Sequence, residues 1–258
     1  MVVRFCSMSE LEAQDQKRES ISFERIFGLL FLLLVILILI NSDFFSIKKI
    51  EIHGNRYVAE TEVLLRSGIS PRQNIFQANT GRAKANLLND PRIAGVTIIR
   101  RFPDKVILSI SERIPRCWAN YRNRPIVISE SGFVIDSPSA PPDGLPLLSG
   151  IHPRTVKFGQ RLHDAKLIQG LKILATADSG LRRQIREINL ENYHLYLKLP
   201  GHATLVEINL GNATRLTKKL FNLKAILGNV ATQELIKIDL RIPDVPTILT
   251  GNSKAIGP

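Results

Sequence analysis

Apolar positions along this chain fall into three regimes. In the first, Ile26 to Ile40 reads IFGLLFLLLVILILI, fifteen residues without a polar side chain. A globular helix would keep one polar face, and this run has none. The uncharged stretch between Arg25 and Asp43 is seventeen residues. That is roughly 25 Å of helix, the short end of a bilayer span, which snorkelling of Arg25 and local thinning can complete. The spacing predicts a transmembrane helix over 25–42. A long charged leader and the lack of an A-x-A-like site after the run argue for an uncleaved anchor. Lys17, Arg18 and Arg25 are balanced by Lys48, Lys49 and Arg56, so loop charge does not decide orientation. Long domains translocate largely regardless of charge, and the expected arrangement has residues 1–24 cytoplasmic and the C-terminal bulk outside.

In the second regime, short apolar runs alternate with helical spacings. Ile47 to His53 predicts a strand that Gly54-Asn55 ends. Glu60 to Ser67 predicts a helix with acidic residues in its first turn and Gly68 as its stop. A second helix is expected over Thr80 to Asn89, with Ala83, Leu87 and Leu88 on one side and Pro91 just past its end. Ala94 to Phe102 and Lys105 to Arg113 flank Pro103-Asp104, the pattern of a hairpin. The order β-α-α-β-β predicts a three-stranded sheet covered on one face by two helices.

The third regime is longer. Ile126 to Ile128 and Phe133 to Ile135 flank Ser131-Gly132 as a further hairpin, and the Pro-rich stretch Ser137 to Gly150 follows. Asp164 is placed to cap a helix whose Leu167, Ile168, Leu171 and Leu174 share a face. Strands are expected near Ile185 to Leu190, His194 to Leu199 and Ala203 to Leu210. A helix from Ala213 to Leu227 groups Leu216, Leu220, Leu223 and Leu227, leaving Arg215, Lys218, Lys219 and Lys224 as an exposed basic face. Ile236, Ile238, Leu240 and Ile242 mark a late strand. A short run, Thr247 to Thr250, precedes a polar tail, 251–258, expected to be disordered.

Asn89 to Trp118, NDPRIAGVTIIRRFPDKVILSISERIPRCW, resembles the end of a POTRA domain in the FtsQ/DivIB family of bacterial division proteins. The matching features are Pro91, Val96, Arg100, the Phe102-Pro103 turn and Glu112-Arg113-x-Pro115. Leu145 to Gly150 and Ile238-Asp-Leu-Arg241 are similar to later family segments, so the resemblance covers roughly Ile26 to Thr250. Arg116-Cys117 departs from it, since the family usually keeps a small apolar residue there. The resemblance implies an α+β chain: an N-terminal transmembrane helix, a POTRA domain over 43–114, and a larger, mostly antiparallel β domain with two packed helices over 115–250. It also implies a non-enzymatic division-site scaffold in the bacterial inner membrane that binds FtsB- and FtsL-like proteins and helps recruit septal wall synthases.

Strand addition suits such a role, and by resemblance the edge is Thr247, Ile248, Leu249 and Thr250. On its own terms that run is a closing edge strand. Ala83, Lys84, Leu87 and Leu88 form a second expected contact surface. Lys48 and Lys49 are placed to meet lipid headgroups. Two alternatives stay open: a POTRA-bearing envelope assembly or chaperone-type factor, and a membrane-tethered wall-binding protein.

Composition narrows the chemistry. The net charge is +12, and residues 1–42 hold four basic against five acidic side chains, leaving 31 against 18 for the rest. That imbalance favours anionic lipid or wall polymer. Nucleic acid is not expected, because Trp118 is the single tryptophan and no aromatic-interleaved basic stripe occurs. Cys6 and Cys117 lie on opposite sides of the apolar run, so no disulfide is expected, and the five histidines are too scattered for zinc. Ser46-x-x-Lys49 has the spacing of an acyl-serine enzyme, but that pair needs a helix. On a strand, positions three apart face opposite ways. No catalytic residue, cofactor or small-molecule substrate is expected.

Overall fold

The structure is a computed structural model and describes residues 23–229 and 235–250. The expected tail 1–24 lies outside the described residues but for its last two, and the expected disordered tail 251–258 lies outside them altogether. Contact density divides the chain into two units. One takes residues up to Glu51 together with Ile69–Thr80 and Ile98–Ile107, and the other takes the remainder. That division runs through the strands of the first sheet and does not coincide with a boundary at 114/115.

The first unit holds helix α1 (Phe23–Ile40), whose apolar side chains are exposed around its circumference. Among the described residues no helix is long and apolar enough to cross a membrane. At 18 residues α1 reaches about 27 Å against about 30 Å of bilayer hydrocarbon, and its first turn carries Glu24 and Arg25. The transmembrane helix expected over 25–42 is therefore not shown. Beyond α1, Ile47, Ile75 and Val106 bury completely and form the centre of this unit. Asn74 Nδ2 donates to Ile40 O at 2.6 Å, supplying one of the donors that the end of a helix lacks.

Strands β1 (Lys49–His53), β2 (Ile93–Arg101) and β3 (Lys105–Glu112) make a three-stranded sheet in the order β1-β3-β2. Helices α2 (Glu60–Ser67) and α3 (Thr80–Leu88) lie between β1 and β2 in the chain, as the pattern predicts. Gly68 ends α2 in the left-handed conformation, where its amide reaches Leu65 O. In the second unit, Asp90, almost fully buried, is held by Arg92 at 2.6 Å, and Arg92 also binds Glu62. Burial acts against the Asp90 charge, yet the bonds from Arg92 outweigh it and lower its pKa.

The larger sheet has nine strands: β4 (Pro115–Tyr121), β5 (Arg124–Ser129), β6 (Val134–Asp136), β7 (Leu147–Ser149), β8 (Ile185–Asn189), β9 (His194–Leu197), β10 (Val206–Asn209), β11 (Leu235–Asp239) and β12 (Thr247–Thr250). Their order is β12-β11-β10-β9-β8-β7-β4-β5-β6. The sheet is mixed. β4/β7, β7/β8 and β10/β11 are parallel, and the other neighbours are antiparallel. Parallel neighbours need a crossover, and the helices supply two of them. α4 (Ala165–Thr176) and α5 (Ser179–Gln184) join β7 to β8, while α6 (Leu216–Asn229) joins β10 to β11.

Asp164 caps α4, accepting from Leu167 N at 3.0 Å, as its side chain predicts. The buried stripe, however, runs through Leu167, Gly170, Ile173 and Leu174, while Ile168 is exposed. Gly170 explains the rotation. A Cβ there would lie 3.0 Å from Leu190 Cδ1 and 3.1 Å from Leu148 Cδ1, so the helix backbone approaches the sheet most closely at that residue. On α6 the expected basic face loses Lys219, which is 1% exposed. Its ammonium donates to Leu210 O at 2.6 Å, Asn212 Oδ1 at 2.9 Å and Asn212 O at 3.2 Å. Burial, and then the charge of Arg215, pull its pKa down. Cys117 fills a core position in β4 beside Ala119, so the departure at this position packs as a small apolar residue would. Burial pushes its thiol pKa up, which leaves it inert.

Candidate functional site

β12 closes one end of the nine-stranded sheet, with β11 as its neighbour. Ile248 faces Ile238 and Leu249 faces Lys237 in the antiparallel register. Among the described residues no further strand pairs with its other side, the position in a sheet that strand addition uses. Leu249 is 47% exposed, and Ile248 is also exposed.

The strand beneath is irregular. The register slips between Leu235 and Lys237, so Leu235, Ile238 and Leu240 enter the core. A strict alternation through Ile236, Ile238, Leu240 and Ile242 would have buried all four. Ile236 is instead exposed, because one extra residue turns the side chains on either side of a bulge to different faces, and Ile242, exposed as well, lies past the end of β11 in the loop.

The loop from β11 to β12 is tied to α6. Arg215 Nη2 bonds Asp244 Oδ2 at 2.7 Å, Lys218 Nζ bonds Asp244 Oδ1, and Asn222 Nδ2 donates to Pro243 O. Lys218 and then Arg215 lower the Asp244 pKa. Asp239 behaves similarly: burial opposes its charge, but its bonds with Arg241 prevail. These contacts fix the start of β12 while leaving apolar side chains outside. Phe221 is 72% exposed and lies about one turn from Lys218 on α6, and Val245 is exposed on the loop itself. Sequence reasoning missed Phe221, Ile242 and Val245. The available signal was a phenylalanine standing among the polar residues of α6 instead of in its leucine stripe.

The other expected surfaces fare differently. Ala83 and Leu87 are core residues, at the helix spacing that faces the sheet, so neither is open to a partner. Lys84 and Leu88 are exposed, which narrows that surface to two of its four residues. Lys48 and Lys49 are exposed, but each has a carboxylate close by: Asp104 Oδ2 at 3.7 Å and Glu51 Oε1 at 2.9 Å. Ser46 Oγ meets Asp43 Oδ1 at 3.4 Å. With Lys49 on Glu51 and Ser46 on Asp43, the two are not arranged as nucleophile and base.

A cavity of about 870 Å³ opens at the start of α4. Arg154, Lys157, Arg161 and Lys166 line it, with Asp164 engaged as the helix cap. Among the described residues none of these four cations has an ion-pair partner. The expectation of anionic contacts did not single out this cluster, whose members are spread over thirteen residues of loop and helix.

Comparison with known proteins places these features. The family described as POTRA domain, FtsQ-type, matches residues 45–113. The chain is 24% identical over 207 residues to a cell division protein DivIB of Clostridium tetani, covering 78% of this chain and 77% of that one. It is 26% identical over 226 residues to a cell division protein FtsQ of Syntrophotalea carbinolica, with coverage of 78% and 77%. A DivIB of Bacillus cytotoxicus is 31% identical over 109 residues, 42% of this chain and 43% of its own. The solved extracytoplasmic domain of DivIB from Geobacillus stearothermophilus is similar at TM-score 0.31 and 18% identity, over 46% of this chain and 98% of that one; likeness at that score defines no shared arrangement. The FtsQ-type POTRA match over residues 45–113, with relatives that span most of both chains, makes this chain similar to the FtsQ and DivIB cell division proteins.

Proposed function

We propose that the chain is a non-enzymatic scaffold of the bacterial division site, which captures FtsB- and FtsL-like partners by strand addition at Thr247, Ile248, Leu249 and Thr250. Through them it recruits the septal wall-synthesis machinery. The observation that carries this reading is the place of β12 at the end of the nine-stranded sheet, with Ile248 and Leu249 exposed on it. A partner segment would gain main-chain hydrogen bonds along the strand. Ile248 and Leu249 would then select its side chains from opposite faces. The division role is supported by relatives that carry the names of division proteins.

In this reading residues 43–114 act as the POTRA domain and 115–250 as the partner-binding β domain. α1 anchors the chain in the inner membrane with the N-terminus cytoplasmic, supported by its exposed apolar circumference. Lys48 and Lys49 sit near the headgroups, Lys84 and Leu88 offer a lesser protein contact, and the cleft at Arg154 and Arg161 is where an anionic wall polymer would bind. A fluorescent fusion should concentrate at midcell, and uniform envelope labelling would count against the division role. Leu249→Asp should abolish capture of an FtsB-like partner by a chain that remains folded. Undiminished capture would remove β12 from the account.

A further inference from the structure

Four phenylalanines come together in the first unit. Phe44 meets Phe45 edge-on at 5.0 Å between centroids, Phe45 meets Phe76 at 5.0 Å, and Phe76 stacks on Phe102 at 5.1 Å. They come from three stretches of chain: the turn after α1, the loop 69–79, and the hairpin turn between β2 and β3. A stack assembled in this way would ordinarily be core. Here Phe44 is 57% exposed, Phe76 43% and Phe102 57%. Contiguous exposed aromatic surface of this kind marks an interaction site.

The neighbourhood says which partner it fits. Phe44 lies four residues past Ile40, the last residue of α1. The two are also joined through loop 69–79, which hydrogen-bonds the end of α1 through Asn74 and donates from Ile75 N to Phe45 O at 2.9 Å. The stack is therefore continuous with an exposed apolar helix, not separated from it by a mobile linker. Arg72 is exposed on the same loop and Arg101 is exposed at the end of β2, next to Phe102 in the chain, and among the described residues neither has an ion-pair partner. Aromatic faces beside guanidinium groups, just past the end of an apolar helix, match the headgroup zone of an anionic bilayer.

We infer that Phe44, Phe45, Phe76 and Phe102, flanked by Arg72 and Arg101, form an interfacial lipid-binding surface. It seats the first unit on an anionic phospholipid bilayer and makes up for the shortness of α1. The inference rests on the proposed anchoring by α1. Lys48 and Lys49 are secondary to it, since their charges are offset by Asp104 and Glu51.

The test uses the full chain in phosphatidylcholine/phosphatidylglycerol vesicles whose lipids are brominated near the top of the acyl chains. Trp118→Phe removes the native fluorophore, and a single tryptophan is then introduced by Phe102→Trp, Ile38→Trp or Phe221→Trp, with folding checked by circular dichroism. Phe76→Trp replaces Phe102→Trp if the latter does not fold. The inference expects tryptophan at 102 to be quenched and blue-shifted as strongly as at 38, with no quenching at 221. Quenching at 38 without quenching at 102 would overturn the interfacial surface and leave the anchor standing. Quenching at neither position would overturn both.

Discussion

Lys219 donates to three oxygens, yet two of them have other donors. Leu210 O also takes Asn212 N at 2.7 Å, and Asn212 Oδ1 takes Thr214 N at 3.1 Å. Losing the ammonium therefore strands little more than Asn212 O, while its burial is itself unfavourable. Lys219→Met should cost no more than about 1 kcal/mol, the net worth of one hydrogen bond. Lys219→Ala, which also empties the space of the stem, should cost about 2–5 kcal/mol as other large-to-alanine core changes do. Urea denaturation of the two variants checks this, and equal losses would show that the charge, not the packing, is what matters. Glu51 presents the opposite case. Lys105 at 2.7 Å and Lys49 at 2.9 Å hold its carboxyl at about 2 instead of the ordinary 4.5. A carboxylate with a folded pKa below its unfolded value stabilises the fold above the unfolded value and loses that effect as pH falls through the folded one. The stability gap between the native chain and Glu51→Gln should therefore shrink from pH 4.5 down to about 2, read by thermal melts. A gap that stays constant across that window would mean the two lysines do not hold the carboxylate.

Helix existence was legible from the leucine spacing, but helix facing was not. In α4 both Leu167-Ile168-Leu171-Leu174 and Leu167-Gly170-Ile173-Leu174 satisfy helical periodicity, and the close approach at Gly170 selects the second. The parallel pairings were equally hidden. Strand periodicity does not distinguish parallel from antiparallel neighbours, and β7 has three residues, too few to alternate visibly. β4 was missed because Arg116, Trp118 and Asn120 interrupt its apolar positions. Turn chemistry was legible only in part. Gly150 follows β7 at φ 77°, and a Cβ there would stand 2.7 Å from Glu191 N. Gly150→Ala should destabilise the larger sheet by about 1–3 kcal/mol, the cost of a strained backbone position. Denaturant midpoints measure this, and an unchanged midpoint would contradict the close packing of that turn.

Across the whole chain, the likeness to FtsQ and DivIB proteins was legible from a few punctuating residues around the hairpin of β2 and β3, and the closing run at Thr247 was legible as a strand. What surrounds that run was not. The facing of β11 depends on its bulge, and the placing of Ile242 and Val245 depends on Arg215 and two side chains of α6 that hold the loop before β12. Neither leaves a local pattern in sequence. The same geometry bears on aggregation: an exposed apolar edge is a hazard unless it is covered in use. The isolated chain with Leu249→Lys should stay soluble at higher concentration than the native chain, by light scattering, because a charge on an edge blocks pairing between copies. Unchanged solubility would mean that the edge is not the sticky surface. The most direct test of the account is photocrosslinking in dividing cells, with a photoreactive residue placed at Leu249, or at Leu65 on the exposed face of α2. The account predicts adducts with FtsB- or FtsL-like division proteins from position 249 and none from position 65. Adducts absent at 249, or equally frequent at both positions, would contradict it.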